Sequence, residues 1–148
     1  MAHDYPTART RSGSESFVRK MAPKAQKIVR PNERGQIGRQ GEQLAVDFLE
    51  AQGCVIVARN WRCRFGEIDI IAERDRIIHF IEVKTRRGSA FGYPEESVTS
   101  AKRQRWFRAI EYWLQFVAPQ VRTYQADVIS ILWTMGKPRI EWIQNVAE

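Results

Sequence analysis

The chain has 148 residues, of which 43% are hydrophobic, and a formal net charge of +7. This length suits one domain with a real core, and the sequence holds neither an apolar run of about 18 residues that could span a membrane nor an apolar signal-peptide segment after its start. We therefore expect a cytoplasmic protein without membrane contact. Cys54 and Cys63 lack zinc-site spacing, and we expect free thiols, with a disulfide as the less favoured alternative.

The positive charge is concentrated at the start of the chain. Residues 1–34 hold eight Lys/Arg and three Asp/Glu, a net charge of +5 out of the +7 of the whole chain. Residues 1–33 are polar and basic and have no sustained hydrophobic periodicity, which is typical of a disordered arm. An organelle transit peptide is a minority interpretation of the same segment. Residues 34–148 are predicted to form the folded domain.

Most of the remaining basic residues fall into three short runs. They are Arg59, Arg62 and Arg64; Lys84, Arg86 and Arg87; and Lys102, Arg103, Arg105 and Arg108. Basic clusters of this kind can follow a phosphate backbone. Composition alone supports equally well the alternative, that these runs form solvated faces.

The first half of the domain predicts one helix and three strands. Apolar residues recur at helical spacing over residues 35–52, and the strand candidates are residues 54–59, 67–74 and 77–85. Between the first two strands, NWRCRFG indicates a basic loop with an aromatic near each end. Only two residues separate the second and third strands, so these should form an antiparallel hairpin.

The second half predicts a loop, a helix and two more strands. Residues 88–97 carry glycines, a proline and aromatics typical of a loop, and a helix is predicted over residues 98–118. Strands are predicted over residues 124–133 and 139–146. The order is αβββαββ, which indicates an α/β fold in which helices flank a mixed central sheet.

An unusual charged pair lies in the third strand. In IIHFIEVKTRR, Glu82 and Lys84 are two residues apart and share one face of the strand. Across the hairpin, Asp69 should come near Glu82, and two carboxylates in contact repel each other. A bound Mg²⁺, which prefers oxygen ligands, would remove the conflict, and Lys84 beside it could activate a water or stabilise charge on a phosphate. The alternative is a solvated face or an ordinary ion pair.

Three further polar residues are candidates for the site. Glu42 falls at the margin of the apolar face of the first helix, where Gly38 and Gly41 indicate a close backbone approach. His79 lies on the strand face opposite Glu82 and is more typical of a packed residue than of a ligand. Asp127 is interpreted as structural, paired with a nearby arginine, with a position at the border of the site as the alternative.

These residues resemble the PD-(D/E)xK nuclease pattern, in which an Asp on one strand is followed by Glu-x-Lys on the next. The segments GRQGEQLAVDFLEAQGCVIVARNWRCRFGEIDIIA, FIEVKTRRGSAFGYPEESVTSAKRQR and ADVI more closely resemble the YraN-like family of bacterial proteins. The resemblance spans about residues 38–129. It implies a restriction-endonuclease-like core similar to that of archaeal Holliday-junction resolvases.

The resemblance also implies roles for individual residues. Asp69 and Glu82 would be metal ligands, Lys84 the catalytic lysine and Glu42 an extra helical carboxylate. Lys102 matches a lysine common in the family and would contact phosphate. By analogy with resolvases the protein would be a homodimer.

The leading hypothesis is a Mg²⁺-dependent nuclease acting on DNA, with branched or otherwise structured DNA as the candidate substrate. Basic residues and exposed aromatics such as Trp61, Phe65 and Tyr93 would grip the nucleic acid. The basic candidates are Arg62, Arg64, Arg86, Arg87, Lys102 and Arg105. Two alternatives are a nucleic-acid-binding module without chemistry and a protein-interaction domain that uses the arm as an adaptor.

Overall fold

The computed structural model describes residues 33–88 and 100–147. The predictions of a disordered arm and of a loop over residues 88–97, with Tyr93, fall almost entirely outside these residues and stay predictions. Within the described ranges, no helix is long and apolar enough to cross a membrane. Cys54 and Cys63 are both free thiols, as expected.

The elements follow the predicted order. They are α1 (Glu33–Ala51), β1 (Val55–Cys63), β2 (Gly66–Arg74), β3 (Ile77–Arg87), α2 (Ser100–Tyr112), a π-helical turn (Trp113–Val117), β4 (Tyr124–Thr134) and β5 (Lys137–Ile143). The prediction of one regular helix to residue 118 was wrong, because the chain widens into the π-helical turn after Tyr112. Such turns are rare and recur at functional sites.

All five strands form one sheet in the order β1-β2-β3-β4-β5. β3 and β4 are parallel, and the other neighbours are antiparallel. The predicted hairpin of β2 and β3 is confirmed, and its turn residues Asp75 and Arg76 both have positive φ angles, of 53° and 68°. The parallel pair needs a crossover, and the chain between β3 and β4 includes α2.

The predicted loop after residue 59 was wrong in part, because β1 continues to Cys63. Trp61, Arg62 and Cys63 pair with residues 68, 67 and 66 of β2. Asn60 has a φ of 49°, a left-handed conformation that asparagine tolerates better than most residues. Asn60 therefore has a turn-like conformation, but pairing with β2 extends the strand beyond it.

The two helices cover opposite faces of the sheet. α1 packs Ala45, Val46 and Leu49 against a core on one face, and α2 packs Trp106 and Ile110 against a core on the other. This is the predicted α/β architecture, a mixed sheet flanked by helices as in restriction-endonuclease-like folds.

The alternation of faces along β2 is interrupted at Asp69. Ile68 packs in the core beneath α2, whereas Ile70, two residues later, packs in the core beneath α1. Side chains two apart on a regular strand share a face. The strand is therefore irregular at the position of the candidate acid.

Candidate active site

Asp69 lies where β2 separates from β3. The last paired residues are Ile70 and Ile81, although β3 remains paired with β4 as far as Arg87. Beyond that point the Asp69 carboxylate takes the place of the missing strand contact, since its Oδ2 accepts a hydrogen bond of 2.8 Å from the backbone N–H of Val83. The end of the hairpin pairing thus fixes the position of this acid.

Glu82 and Lys84 lie on the face covered by α2. Glu82 Oε1 is 3.1 Å from Lys84 Nζ and 3.9 Å from Lys102 Nζ at the start of α2. The side chains of Glu82 and Lys84 are only 13% and 10% exposed. The predicted shared face is confirmed, and the two charges form a nearly buried ion pair.

The surroundings of this cluster disfavour the charged forms of Asp69 and Lys84. Burial, together with repulsion from Glu82, Glu42 and Glu67, raises the pKa of Asp69 to about 8, against the opposing hydrogen bond from Val83. Burial also lowers the pKa of Lys84, and nearby Lys102 lowers it further, while Glu82 opposes the shift. An acid with a raised pKa beside a lysine with a lowered pKa is typical of functional sites.

Glu42 of α1 lies close enough to interact electrostatically with Glu67 and Glu82. Burial raises the pKa of its carboxyl, and Glu67 and Glu82 contribute to the rise, while a hydrogen bond with Asn60 opposes it.

α1 approaches β3 closely at Gly41. A Cβ at this position would overlap Thr85 Oγ1 and lie 3.2 Å from Thr85 Cβ. The same prediction for Gly38 was wrong, because a Cβ there would meet nothing within 4 Å.

The acids present fit a cation that needs few protein ligands. In residues 33–88 and 100–147, no three His, Cys, Asp or Glu side chains converge closely enough to hold a metal by themselves. Mg²⁺ keeps several waters and is usually bound through one or two carboxylates plus substrate phosphates. The repelling pair of Asp69 and Glu82 therefore suits Mg²⁺ better than zinc, which prefers a closed set of four ligands.

A cavity of about 580 Å³ opens beside the acids, between the β1–β2 turn and α2. Asp69 and Glu82 line it together with Arg64, Lys102 and Arg105, three of the six basic residues predicted to bind nucleic acid. The site thus places acids and bases around one space.

The other three predicted basic residues lie outside this cavity. Arg62 is 3.3 Å from Glu67 in an exposed ion pair, which contributes little to stability. Arg86 and Arg87 are exposed at the end of β3.

The comparisons with known proteins agree with one another. A sequence model of the family described as "Uncharacterised protein family UPF0102" matches residues 41–131. The UPF0102 protein of Nocardia farcinica is 44% identical over 120 residues, which cover 80% of this chain and 94% of the relative. That of Myxococcus xanthus is 44% identical over 102 residues, 69% of this chain and 81% of the relative. The chain belongs to the UPF0102 family.

This membership confirms the resemblance to YraN-like proteins. A further UPF0102 protein, from Caldicellulosiruptor bescii, is 47% identical over 97 residues, 65% of this chain and 82% of the relative. The range matched by the UPF0102 model contains Glu42, Asp69, Glu82, Lys84 and Lys102. The predicted basic arm lies outside that range.

Sequence reasoning did not assign Glu67 or Trp106 to the site, and both line the cavity. Arg103, a member of the third basic run, lines it as well. Glu67 was detectable, because it precedes Asp69 by two residues in GEIDII. Trp106 is buried on the face of α2 that packs against the sheet. Its place in the cavity wall depends on how α2 lies against the β1–β2 turn, which no local pattern reveals.

Asp127 is structural, but its predicted arginine partner was wrong. It is fully buried, and its Oδ2 lies 2.7 Å from Nδ1 of His79. The parallel pairing of β3 with β4 brings these two side chains together, since His79 lies opposite Gln125 in the register. The His79–Asp127 pair belongs to the face covered by α1, away from Glu82.

Proposed function

We propose that this UPF0102 protein is a metal-dependent nuclease that hydrolyses phosphodiester bonds in DNA. The observation that carries the proposal is the carboxylate pair of Asp69 and Glu82 in a cavity also lined by Lys102 and Arg105. Two repelling carboxylates favour a bound cation, and the cationic groups around them favour a phosphate. One cavity therefore suits both partners of phosphodiester hydrolysis.

Each residue has a defined part in this proposal. Asp69 and Glu82 would hold Mg²⁺, which when bound supplies a Lewis acid for a phosphate oxygen and a water. Lys84, positioned by its contact with Glu82, donates hydrogen bonds to the scissile phosphate and balances its growing negative charge. Lys102 holds the neighbouring phosphate, and Glu42 adds negative charge on the side of α1.

The test is a cleavage panel of linear, nicked, flapped and four-way DNAs, with Mg²⁺ or with EDTA. We expect Mg²⁺-dependent cleavage of at least one substrate by the unaltered chain. Lys84→Ala should lower the rate by about a hundredfold or more and leave DNA affinity within about threefold. Lys137→Ala, which removes an exposed lysine of β5, is the matched control and should cleave normally. Failure of the unaltered chain to cleave any member of the panel would refute the nuclease proposal.

One observation favours a second candidate, a DNA-binding module without chemistry. Glu82 already has a cationic partner in Lys84 at 3.1 Å, so part of its charge is balanced without a metal. A chain of this kind would bind DNA with strong salt dependence and would give no heat signal in a calorimetric Mg²⁺ titration. The nuclease proposal instead predicts a Mg²⁺ signal that Asp69→Asn removes.

A further inference from the structure

Four aromatic rings form a continuous surface that leads away from the cavity. Tyr112 of α2 is central, with ring centroids 6.1 Å from Trp61, 6.0 Å from Phe65 and 4.7 Å from Phe116. We call Trp61, Phe65, Tyr112 and Phe116 the aromatic track. Phe116 belongs to the π-helical turn, whereas Trp61 and Phe65 belong to β1 and its turn into β2. Three separate elements thus contribute to one surface.

The aromatic track is open to solvent. Phe116 is 63% exposed, and Trp61, Phe65 and Tyr112 are each partly exposed. Large aromatic side chains are the costliest to leave in contact with water. A cluster of aromatic rings that reaches the surface and ends in an exposed ring is typical of an interaction site.

Basic residues lie beside the part of the track nearest the cavity. The Arg64 guanidinium lies 4.7 Å from the ring centroid of Phe65. Arg105, Arg108 and Tyr112 follow one another at helical spacing on α2, and both arginines are exposed. Within α2, the single acidic residue is Glu111, which precedes Tyr112 in the sequence. The local charge is therefore predominantly positive, which favours a polyanion over an acidic or purely apolar partner.

The aromatic track begins at the cavity. Phe65 lines the same space as Asp69 and Glu82. The turn that carries it lies directly on α2, because a Cβ at Gly66 would come within 3.2 Å of the backbone oxygen of Arg105. A ligand that entered the cavity would therefore meet the track as it left.

We propose that the aromatic track binds the bases of a single-stranded polynucleotide segment that continues from the cavity. A single strand exposes the flat faces of its bases, which stack on aromatic side chains with little sequence preference, whereas the bases of a duplex are stacked on each other. The flanking arginines neutralise its phosphates. This inference rests on the proposed nuclease function and narrows its substrate to nucleic acid with a single-stranded arm, such as a flap or a splayed end.

The test is fluorescence anisotropy of the full chain in EDTA, which measures binding without cleavage. The probes are a labelled thymidine 20-mer, a uridine 20-mer and a duplex of the same length. Phe116→Ala should weaken thymidine 20-mer binding about tenfold and duplex binding less than about twofold. Phe116→Leu should show the same loss, because leucine keeps an apolar side chain but has no flat ring. The uridine probe shows whether the strand is DNA or RNA.

Met135→Ala is the matched control, since Met135 is exposed at the turn between β4 and β5. It should bind all probes like the unaltered chain. Unchanged single-strand affinity in Phe116→Ala overturns the inference, as does an equal loss on the duplex. So does a change of oligomeric state on size exclusion without a change of affinity, because the track would then cover a second copy of the chain. Loss of single-strand binding in a chain that cleaves nothing would support the track and refute the nuclease.

Discussion

The sheet holds two aspartates in contrasting surroundings: Asp127 is fully buried, whereas Asp69 is half-buried. Asp127, on the face of α1, has four hydrogen-bonding partners at 2.7 to 3.0 Å. They are His79, Gln125, Trp142 and the backbone N–H of Asn145. Asp69, in the cavity beside α2, accepts one hydrogen bond from Val83 and faces three other carboxyl groups. The two aspartates therefore differ in how many hydrogen-bonding partners the described residues provide.

The difference lies in what each environment leaves unsatisfied. A carboxylate has room for about four hydrogen bonds, and Asp127 has that number within the protein. Among the residues that the structure describes, Asp69 has fewer partners, and a proton or a bound cation would remove its repulsion from the neighbouring acids. The hydrogen-bonding capacity of Asp127 is thus filled within the protein, whereas that of Asp69 is left open for a proton or, under the proposed function, for a cation.

The largest expected effect is a loss of stability when Asp127 is replaced. Asp127→Ala leaves His79, Trp142 and Asn145 without their acceptor and should lower the free energy of unfolding by about 4 kcal/mol. Urea unfolding followed by tryptophan fluorescence measures the loss. Asp127→Asn keeps part of the network and should lose less. If both variants unfold like the unaltered chain, the network does not hold the fold together.

Asp69→Asn should change stability in the opposite direction to Asp127→Ala. Under the proposed function it lowers Mg²⁺-dependent cleavage by about a hundredfold, and it removes the repulsion, so the melting temperature should rise by a few degrees. The cleavage panel and a thermal melt measure the two effects on the same sample. If Asp69→Asn lost stability together with cleavage, Asp69 would stabilise the fold as Asp127 does.

A third acid, the buried Glu73, extends the comparison to pH. Burial raises the pKa of Glu73 from 4.5 to about 7, with Arg76 opposing the shift, and its Oε2 has no hydrogen-bond partner among the described residues. Between those pH values the folded chain keeps a proton that the unfolded chain has lost. The contribution of Glu73 to stability should therefore fall as pH rises from about 4.5 to about 7.

Glu73→Gln tests this dependence. Above pH 7 the variant should be more stable than the unaltered chain by about 3 kcal/mol, and at pH 4 the two should be equal. Urea unfolding at several pH values gives the difference directly. A constant difference across this range would show that the folded carboxyl titrates like the unfolded one.

The smallest effects concern how α1 brings Glu42 to the acids. Gly38→Ala should stabilise the chain by about 0.5–1 kcal/mol, because alanine favours a helix over glycine and nothing lies within 4 Å of the new Cβ. Gly41→Ala gains the same helix preference but overlaps Thr85, so its net change should be destabilising. Thermal melts of the two variants form a matched pair, and equal shifts would mean that α1 does not press on β3 at Gly41.

The hairpin and its charged pair were predictable because their signals are local. Alternating apolar residues and a turn of two residues fixed β2 and β3, and the spacing of Glu82 and Lys84 fixed their shared face. The nearness of Asp69 to Glu82 followed from extending the register of the same hairpin, although the pairing itself ends one residue earlier, at Ile70 and Ile81. These inferences needed only contacts between residues close in the sequence.

The errors arose where distant segments decide the outcome. β1 continues past Asn60 because β2 offers pairing partners there. The partner of Asp127 depends on the parallel register with β3, which is set by the long crossover. The role of Trp106 in the cavity wall depends on the packing of α2 against the β1–β2 turn. Local patterns do not contain this information.

The turn at Asp75 and Arg76 also bears on how the protein folds. It joins β2 to β3 by two residues, so the segment holding Asp69, Glu82 and Lys84 closes a very short loop and is expected to form early. The His79–Asp127 pair is joined only after the chain spans the crossover, a slower long-range step. The repelling acids would then meet before the network that stabilises the fold exists. We expect mutations that relieve their repulsion to accelerate folding as well as to stabilise the native state.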